Sequence, residues 1–163
     1  MQYSVQDFIQ CLDDHRTATQ ALNTWCTSHR VPGASSIHAH ILQDEPIAHD
    51  CYDGPLSLRA GETLQHRRVC LNWGDTTMSE ADNWYLPDRL PDAMRERLEN
   101  TTIPFGQVVM ELGPVRKLLS RTPVAQDEQG RFILLVSAVL ETADGILIAE
   151  VREHYCRALL ETS

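Results

Sequence analysis

TLQHRRVCLNW–GD–TTMSEADNWYL, residues 63–86, is the stretch on which the fold turns. Thr63 to Trp73 reads as one β-arm and Thr76 to Leu86 as the other. Gly74-Asp75 between them supplies hairpin turn chemistry, and Pro87 stops the second arm. Successive side chains of a strand point to opposite faces. Val69, Leu71 and Trp73 therefore share one face, and Arg68, Cys70 and Asn72 the other.

Downstream, Phe132 to Glu141 and Ile146 to Tyr155 form a second hairpin, joined at Ala143-Asp144-Gly145. On its last strand Ile146, Ile148 and Glu150 share a face, opposite Leu147, Ala149 and Val151. Both faces are apolar up to Glu150, which implies burial on both. A carboxylate in such a run is costly unless a cation or donor meets it. Arg68 is a candidate for that cation. The alternative is a wet sheet edge, or an ordinary ion pair with Arg67, Arg68 or Arg152.

Upstream of the first hairpin lie helical patterns. Ser4 can cap a helix with Val5, Phe8, Ile9 and Leu12 on one face. Thr17 and Gln20 have capping-box spacing ahead of Ala21, Leu22, Trp25 and Cys26, and Pro32-Gly33 ends that helix. Ser36 to Leu42 reads as a strand. Gln43 to Gly61 reads as a long irregular connection, and such connections often serve as flaps. Between the hairpins, Pro91 opens a helix, Pro104-Phe105-Gly106 opens a shorter one, and Val115 to Val124 reads equally as a strand or a bent connection. Hairpins without strand–helix–strand units imply an α+β fold. Its expected form is a mostly antiparallel sheet with helices packed on one face, in a single domain over residues 1–163.

The 163 residues carry a net charge of −9 and 42% hydrophobic residues. A globular chain of that charge repels phosphate backbones, so nucleic acid is not the expected partner, and an anionic ligand would need a specific arginine or lysine. Cys11, Cys26, Cys51, Cys70 and Cys156 form no Cys-x-x-Cys pair, which argues against zinc-ribbon and thioredoxin chemistry. His38 and His40 share a strand face but lack a third ligand at metal spacing, so no metal is expected. Phosphate loops and nucleophile elbows are absent. No run reaches the ~20 apolar residues of a membrane span, and no signal peptide is visible, so a cytoplasmic protein is expected.

Taken in order along the chain, these segments resemble the bacterial chorismate lyases. Arg68 to Pro87 is similar to their central hairpin, with arginine and terminal proline in register. Ile103-Pro104-Phe105-Gly106 stands where they have Thr-Pro-Leu-Gly, and Thr17-Ala18-Thr19 resembles the Ser-Met-Thr that begins their second helix. Their last hairpin aligns with Ser137 to Val151, which puts their active-site glutamate on Glu150. The resemblance implies elimination of pyruvate from chorismate to leave 4-hydroxybenzoate, without cofactor. In that reading Arg68 and Glu150 are catalytic, and Arg68, Asn83 and Ala18 contact the substrate, with Arg68 and Glu150 pointing into one enclosed pocket. Gln43–Gly61 and Glu99–Gly106 would close over it. The chain departs from the pattern at Asn83, where the lyases have a second arginine, and at Ile103 and Ala18, where they have Thr and Met. Ligand-sensing domains of some transcription regulators share this fold, as does a group of bacterial proteins resembling Ser79 to Pro87. The alternative implication is a non-catalytic domain that binds or senses an aromatic carboxylate.

Overall fold

Both hairpins form as two ten-residue arms in the computed structural model, which describes residues 3–29, 35–124 and 130–161. The helices are α1 (Val5–Asp13), α2 (Ala18–His29), α3 (Asp92–Asn100) and α4 (Phe105–Val108). The strands are β1 (Ile37–Ile47), β2 (Leu64–Trp73), β3 (Thr76–Tyr85), β4 (Val115–Pro123), β5 (Phe132–Glu141) and β6 (Leu147–Cys156). They build one antiparallel sheet in the order β1-β2-β3-β6-β5-β4. Gly74 takes φ 59° at the first hairpin turn, a left-handed conformation that glycine enters without strain. The chain between the hairpins carries α3 and α4 and then runs to the far edge as β4. The second hairpin thus inserts with β6 against β3.

Helices cover one face of the sheet, as the hairpin pattern implies. Phe8 and Ile9 of α1 and Leu22, Trp25 and Cys26 of α2 pack on Val69, Leu71, Ala81, Val136 and Tyr155. A second cluster gathers Met94 and Leu98 of α3 and Phe105 and Val108 of α4 against Tyr85, Leu140 and Ala149. No helix among the described residues is long and apolar enough to cross a membrane.

The helix starts follow their capping residues. Ser4 accepts from the Asp7 amide at 3.1 Å and Asp7 answers on the Ser4 amide, a complete capping box. At α2 only half of it forms. Thr17 accepts from the Gln20 amide at 3.2 Å, but the Gln20 side chain leaves the helix for the Met110 sulfur. The expected end at Pro32-Gly33 lies outside the described residues.

Two expectations change. Strand β1 does not stop at Leu42 but pairs with β2 as far as Ile47, across a bulge between Ile41 and Gln43. Gln43, Asp44 and Glu45 are polar and Pro46 follows, so periodicity carries no signal there; the backbone ladder to β2 holds the segment extended. The connection thereby shortens to residues 48–63. Val115–Pro123, ambiguous in sequence, is edge strand β4 and is mostly exposed.

The connection 48–63 lies over the sheet face opposite α1 and α2, at one end, where Leu56 packs with Leu64, Leu86, Tyr52 and Trp84. Its end is clamped by Arg89, which grips Glu62 with two nitrogens at 2.8 Å and donates to the carbonyls of Ser57 and Leu147 at 2.7 Å. These hydrogen bonds hold the Glu62 carboxyl at about 2, below its ordinary 4.5. A carboxyl lowered on folding contributes stability above its unfolded value and loses it as pH falls through its folded one. Glu62→Gln should therefore lower the melting temperature at neutral pH, by the equivalent of about 1–3 kcal/mol for a charge-assisted bond. The difference from wild type should shrink as pH falls from 4.5 toward 2. Thermal melts across that range check it; a pH-independent difference would exclude the ion pair as its source.

Candidate functional site

The cavity under the helices is built by three segments. The start of α2 presents Thr17, Ala18 and Thr19, and the turn into α4 presents Pro104, Phe105 and Gly106. The sheet supplies a floor that includes Val69, Asn83, Val151 and Glu153. The cavity is small, about 40 Å³, and partly open to solvent. The two helix starts approach closely: a Cβ on Gly106 would stand 3.3 Å from the Thr17 Cβ. Any side chain there would crowd the cavity roof.

The row that includes the floor residues Asn83 and Val151 continues, outside the cavity lining, to a polar group that the core does not explain. Register pairs Asp44 with Arg67, Arg67 with Asn83, and Asn83 with Val151, one row across four strands on the helix side. Arg67 is 0% exposed, and none of its three guanidinium nitrogens has a hydrogen-bond partner among the described residues. Burial lowers its pKa, opposed by the Asp44 carboxylate and the Tyr85 hydroxyl nearby. Asp44 itself is occupied by Gln65 at 2.7 Å and Tyr85 at 3.4 Å. The Asn83 side chain is buried and lines the cavity.

One row further along the strands the polar groups are satisfied. Glu153, 5% exposed, accepts from Arg116 of β4 on both oxygens and from the Tyr155 hydroxyl at 2.9 Å. Burial works against the Arg116 charge, but Glu153 more than restores it and raises the pKa. Burial holds the Tyr155 hydroxyl well above its ordinary value, so it stays a donor. The cavity thus has one satisfied ion pair and, next to its lining, one buried guanidinium that is near Asp44 but makes no hydrogen bond among the described residues.

Of the residues singled out from sequence, the structure brings Ala18 and Asn83 to this cavity. It does not bring Arg68 and Glu150 there. Both lie on the opposite face, and they do not share an enclosed pocket on it. Arg68 is half exposed and pairs with Asp82 at 3.2 Å. Glu150, 2% exposed, lies under the connection, where Tyr52 donates to it at 2.7 Å and Arg152 at 3.0 Å. Arg152 in turn lies over the Trp84 ring at 4.4 Å, and His66 stacks on that ring's plane at 4.8 Å. The ion-pair alternative for Glu150 is thus what forms, with Arg152. The reason is the two-residue period: moving one position to Arg67, or three to Glu153, changes faces. Residues Glu99–Gly106 do border the cavity through Pro104, Phe105 and Gly106, whereas the connection 48–63 covers the other face.

Arg67 and Glu153 were legible in part. Arg67 is in phase with Val69, Leu71 and Trp73, which pack on α1 and α2, and Glu153 with Ala149, Val151 and Tyr155 on the same helix-covered face. Arg116 had no signal, because its segment had no clear period. His38 and His40 are exposed, and among the described residues no three His, Cys, Asp or Glu side chains are placed to hold a metal ion.

Comparison with known proteins adds the following. No family model matches the sequence. The uncharacterized protein y4mC of Sinorhizobium fredii (strain NBRC 101917 / NGR234) is 32% identical over 166 residues, spanning 89% of this chain and 70% of that protein. Among solved structures, the effector domain of PhnF from Mycobacterium smegmatis superposes with a TM-score of 0.60 at 13% identity, over 90% of this chain and 92% of that domain. Against the longer PhnF structure the TM-score is 0.59 and this chain spans 66% of the length. A GntR-family transcriptional regulator from Enterococcus faecalis V583 gives 0.53 at 12% identity, over 76% of this chain and 96% of that one. At such identities the likeness shows the fold: the chorismate lyase-like sheet and helices as they occur in regulator effector domains.

Proposed function

This chain belongs to the family of the uncharacterized protein y4mC, and on that footing we propose that it is a non-catalytic domain that binds a small aromatic carboxylate between the sheet and α2/α4. The observation that carries the reading is Arg67, a fully buried guanidinium with three unpartnered nitrogens, whose neighbours Val69 and Asn83 line the cavity although Arg67 itself does not. Burying a cation without an anion costs folding energy. A ligand carboxylate would answer it with the fork geometry that guanidinium offers. Pro104, Phe105, Val69, Leu71 and Val151 supply flat apolar walls for a ring, and the Asn83 amide offers a neutral donor and acceptor.

Binding is favoured over elimination because the acid in the cavity is already engaged. Glu153 spends its oxygens on Arg116 and Tyr155, which leaves it poorly placed to move a proton. Arg68 and Glu150 stand on the other face, away from this cavity. The effector domain of PhnF, similar in fold, supports the same choice.

Two measurements on the purified protein test the reading. Titration calorimetry with 4-hydroxybenzoate and with benzoate should show saturable binding, and incubation with chorismate should release no pyruvate above the spontaneous rate. Catalysed pyruvate release would restore the lyase reading, and absence of binding by either acid would remove the site.

A further inference from the structure

We infer that β4 is the contact through which two copies of this chain pair, edge to edge and antiparallel, continuing the sheet from six strands to twelve. The inference is independent of the ligand proposed above, since it rests on the outer side of β4. A sheet edge is a row of backbone N–H and C=O groups that a further strand can complete. This sheet has two edges, and the chain treats them differently. On β1 the amides of Ile37 and Ala39 are already bonded outside the sheet, to the Asn23 side chain at 2.8 Å and to the Thr102 carbonyl at 3.1 Å. Beyond the bulge between Ile41 and Gln43 that edge carries Asp44, Glu45 and Pro46, residue types that keep strands apart.

Strand β4 lacks that protection over most of its length. Its nine residues pair with β5 on one side, and on the other no backbone group of Val115–Pro123 is hydrogen-bonded among the described residues. One bulge, between Leu118 and Ser120, interrupts the ladder, and the proline comes only at the end. At ~3.4 Å per residue the strand runs about 30 Å. Val115, Leu118 and Leu119 are large apolar side chains, each about half exposed. Val115 pairs with Glu141 and Leu118 with Ala138, three residues apart, so they lie on opposite faces of the sheet and would flank an added strand on both.

Charge selects the partner. The three cations of β4 are each answered within the chain: Arg116 by Glu153, Lys117 by Glu141 and Arg121 by Asp13. An acidic strand would find no unpaired cation here, whereas two copies of β4 can approach without net repulsion. The partner that fits is a neutralised, half-apolar strand, and a two-fold axis supplies one in β4 itself. Docking β4 on the β1 edge of a neighbour would leave an edge open at each end and grow without closing. It would also meet the bonded amides and the acidic residues of β1.

Light scattering on the purified full chain, over a dilution series, should give a mass approaching twice the 18.4 kDa of one chain at the concentrated end. Hydrogen exchange at the two ends of the series should show added protection in Val115–Pro123 and none in β1. Val115→Lys and Leu119→Lys each put a charge on an exposed side chain and leave the core alone. Both should raise the dissociation constant of the dimer about tenfold or more. Leu42→Lys, the same change at a similarly exposed leucine in the bulge of β1, should leave it unchanged. A monomeric mass at every concentration would overturn the inference, as would a dimer that both β4 variants leave intact. A dimer lost only in Leu42→Lys would assign the contact to β1. Masses that keep rising past the dimer would mean that β4 docks on β1, and either result overturns the self-pairing. Should a β4 variant not fold, the other variant and the exchange pattern of the wild type decide.

Discussion

Replacing Arg67 by methionine should abolish carboxylate binding and at the same time leave the protein as stable as before, or more so. The two effects come from one fact: Arg67 is fully buried, in a row between Asp44 and Asn83, with its nitrogens unbonded. Methionine fills similar volume, needs no partner and adapts to irregular space. Replacing a buried charge that lacks a full complement of bonds by an apolar side chain is often stabilising, by roughly 1–4 kcal/mol. Removing the cation that meets a buried ligand anion costs about 2–5 kcal/mol of affinity, or roughly 30-fold to several thousand-fold. A residue kept for folding would show the opposite sign in stability. Thermal denaturation and titration with 4-hydroxybenzoate, run on the same sample, check both halves. A protein destabilised by the change and unaltered in affinity would assign Arg67 to the core.

The second large effect is expected on the opposite face, at Gly54. A Cβ there would stand 2.1 Å from the Tyr52 hydroxyl and 2.2 Å from a Glu150 oxygen, closer than real atoms approach. Gly54→Ala must therefore displace the connection or break the 2.7 Å bond from Tyr52 to Glu150. Glu150 is 2% exposed, so a lost donor is not replaced by water at no cost. Breaking up a buried charged network of this kind costs about 3–5 kcal/mol, large against the marginal stability of a small domain. Tyr52→Phe, which removes the donor and leaves the backbone in place, should cost less, about 1–3 kcal/mol. Chemical denaturation of both variants measures the difference. A Gly54→Ala protein within 1 kcal/mol of wild type would mean that the connection is not strapped down through Glu150, about the size of one ordinary hydrogen bond. Carboxylate affinity should change little in either variant, because both residues lie on the sheet face opposite the helix-side cavity.

These two sites show how far a sequence pattern reaches. The alternation of Val69, Leu71 and Trp73 implied one buried face of β2, and that face packs on the helices. The same alternation puts Arg67 with them and Arg68 against them. Family resemblance pointed to Arg68 and Glu150 as the paired groups, and both stand on the face away from α1 and α2, Arg68 half exposed and Glu150 buried under the connection. An offset of one residue in a strand is small in an alignment and complete in space. The run Leu147–Ile148–Ala149 adds a local reason: the pairing of β5 with β6 slips between Leu140 and Glu141, so strict alternation from Ile146 onward fails there.

What the sequence by itself determined was local. Turn residues at Gly74-Asp75 and at Ala143-Asp144-Gly145, with apolar alternation on either side, specify two antiparallel hairpins. Ser4, Pro91, and Pro104-Phe105-Gly106 specify where helices start. Those signals act over a few residues, through backbone conformation and side-chain period, and they lead to the α+β class without further information. The tertiary structure alone decided which face the helices cover, that β6 joins β3 rather than an edge, and that residues 43–46 stay extended on β2. It also decided that Arg116 crosses from β4 to neutralise Glu153 and that Arg152 and Tyr52 close over Glu150. Each of these depends on partners far apart in the chain, and burial and charge pairing are properties of the space between segments rather than of any one segment.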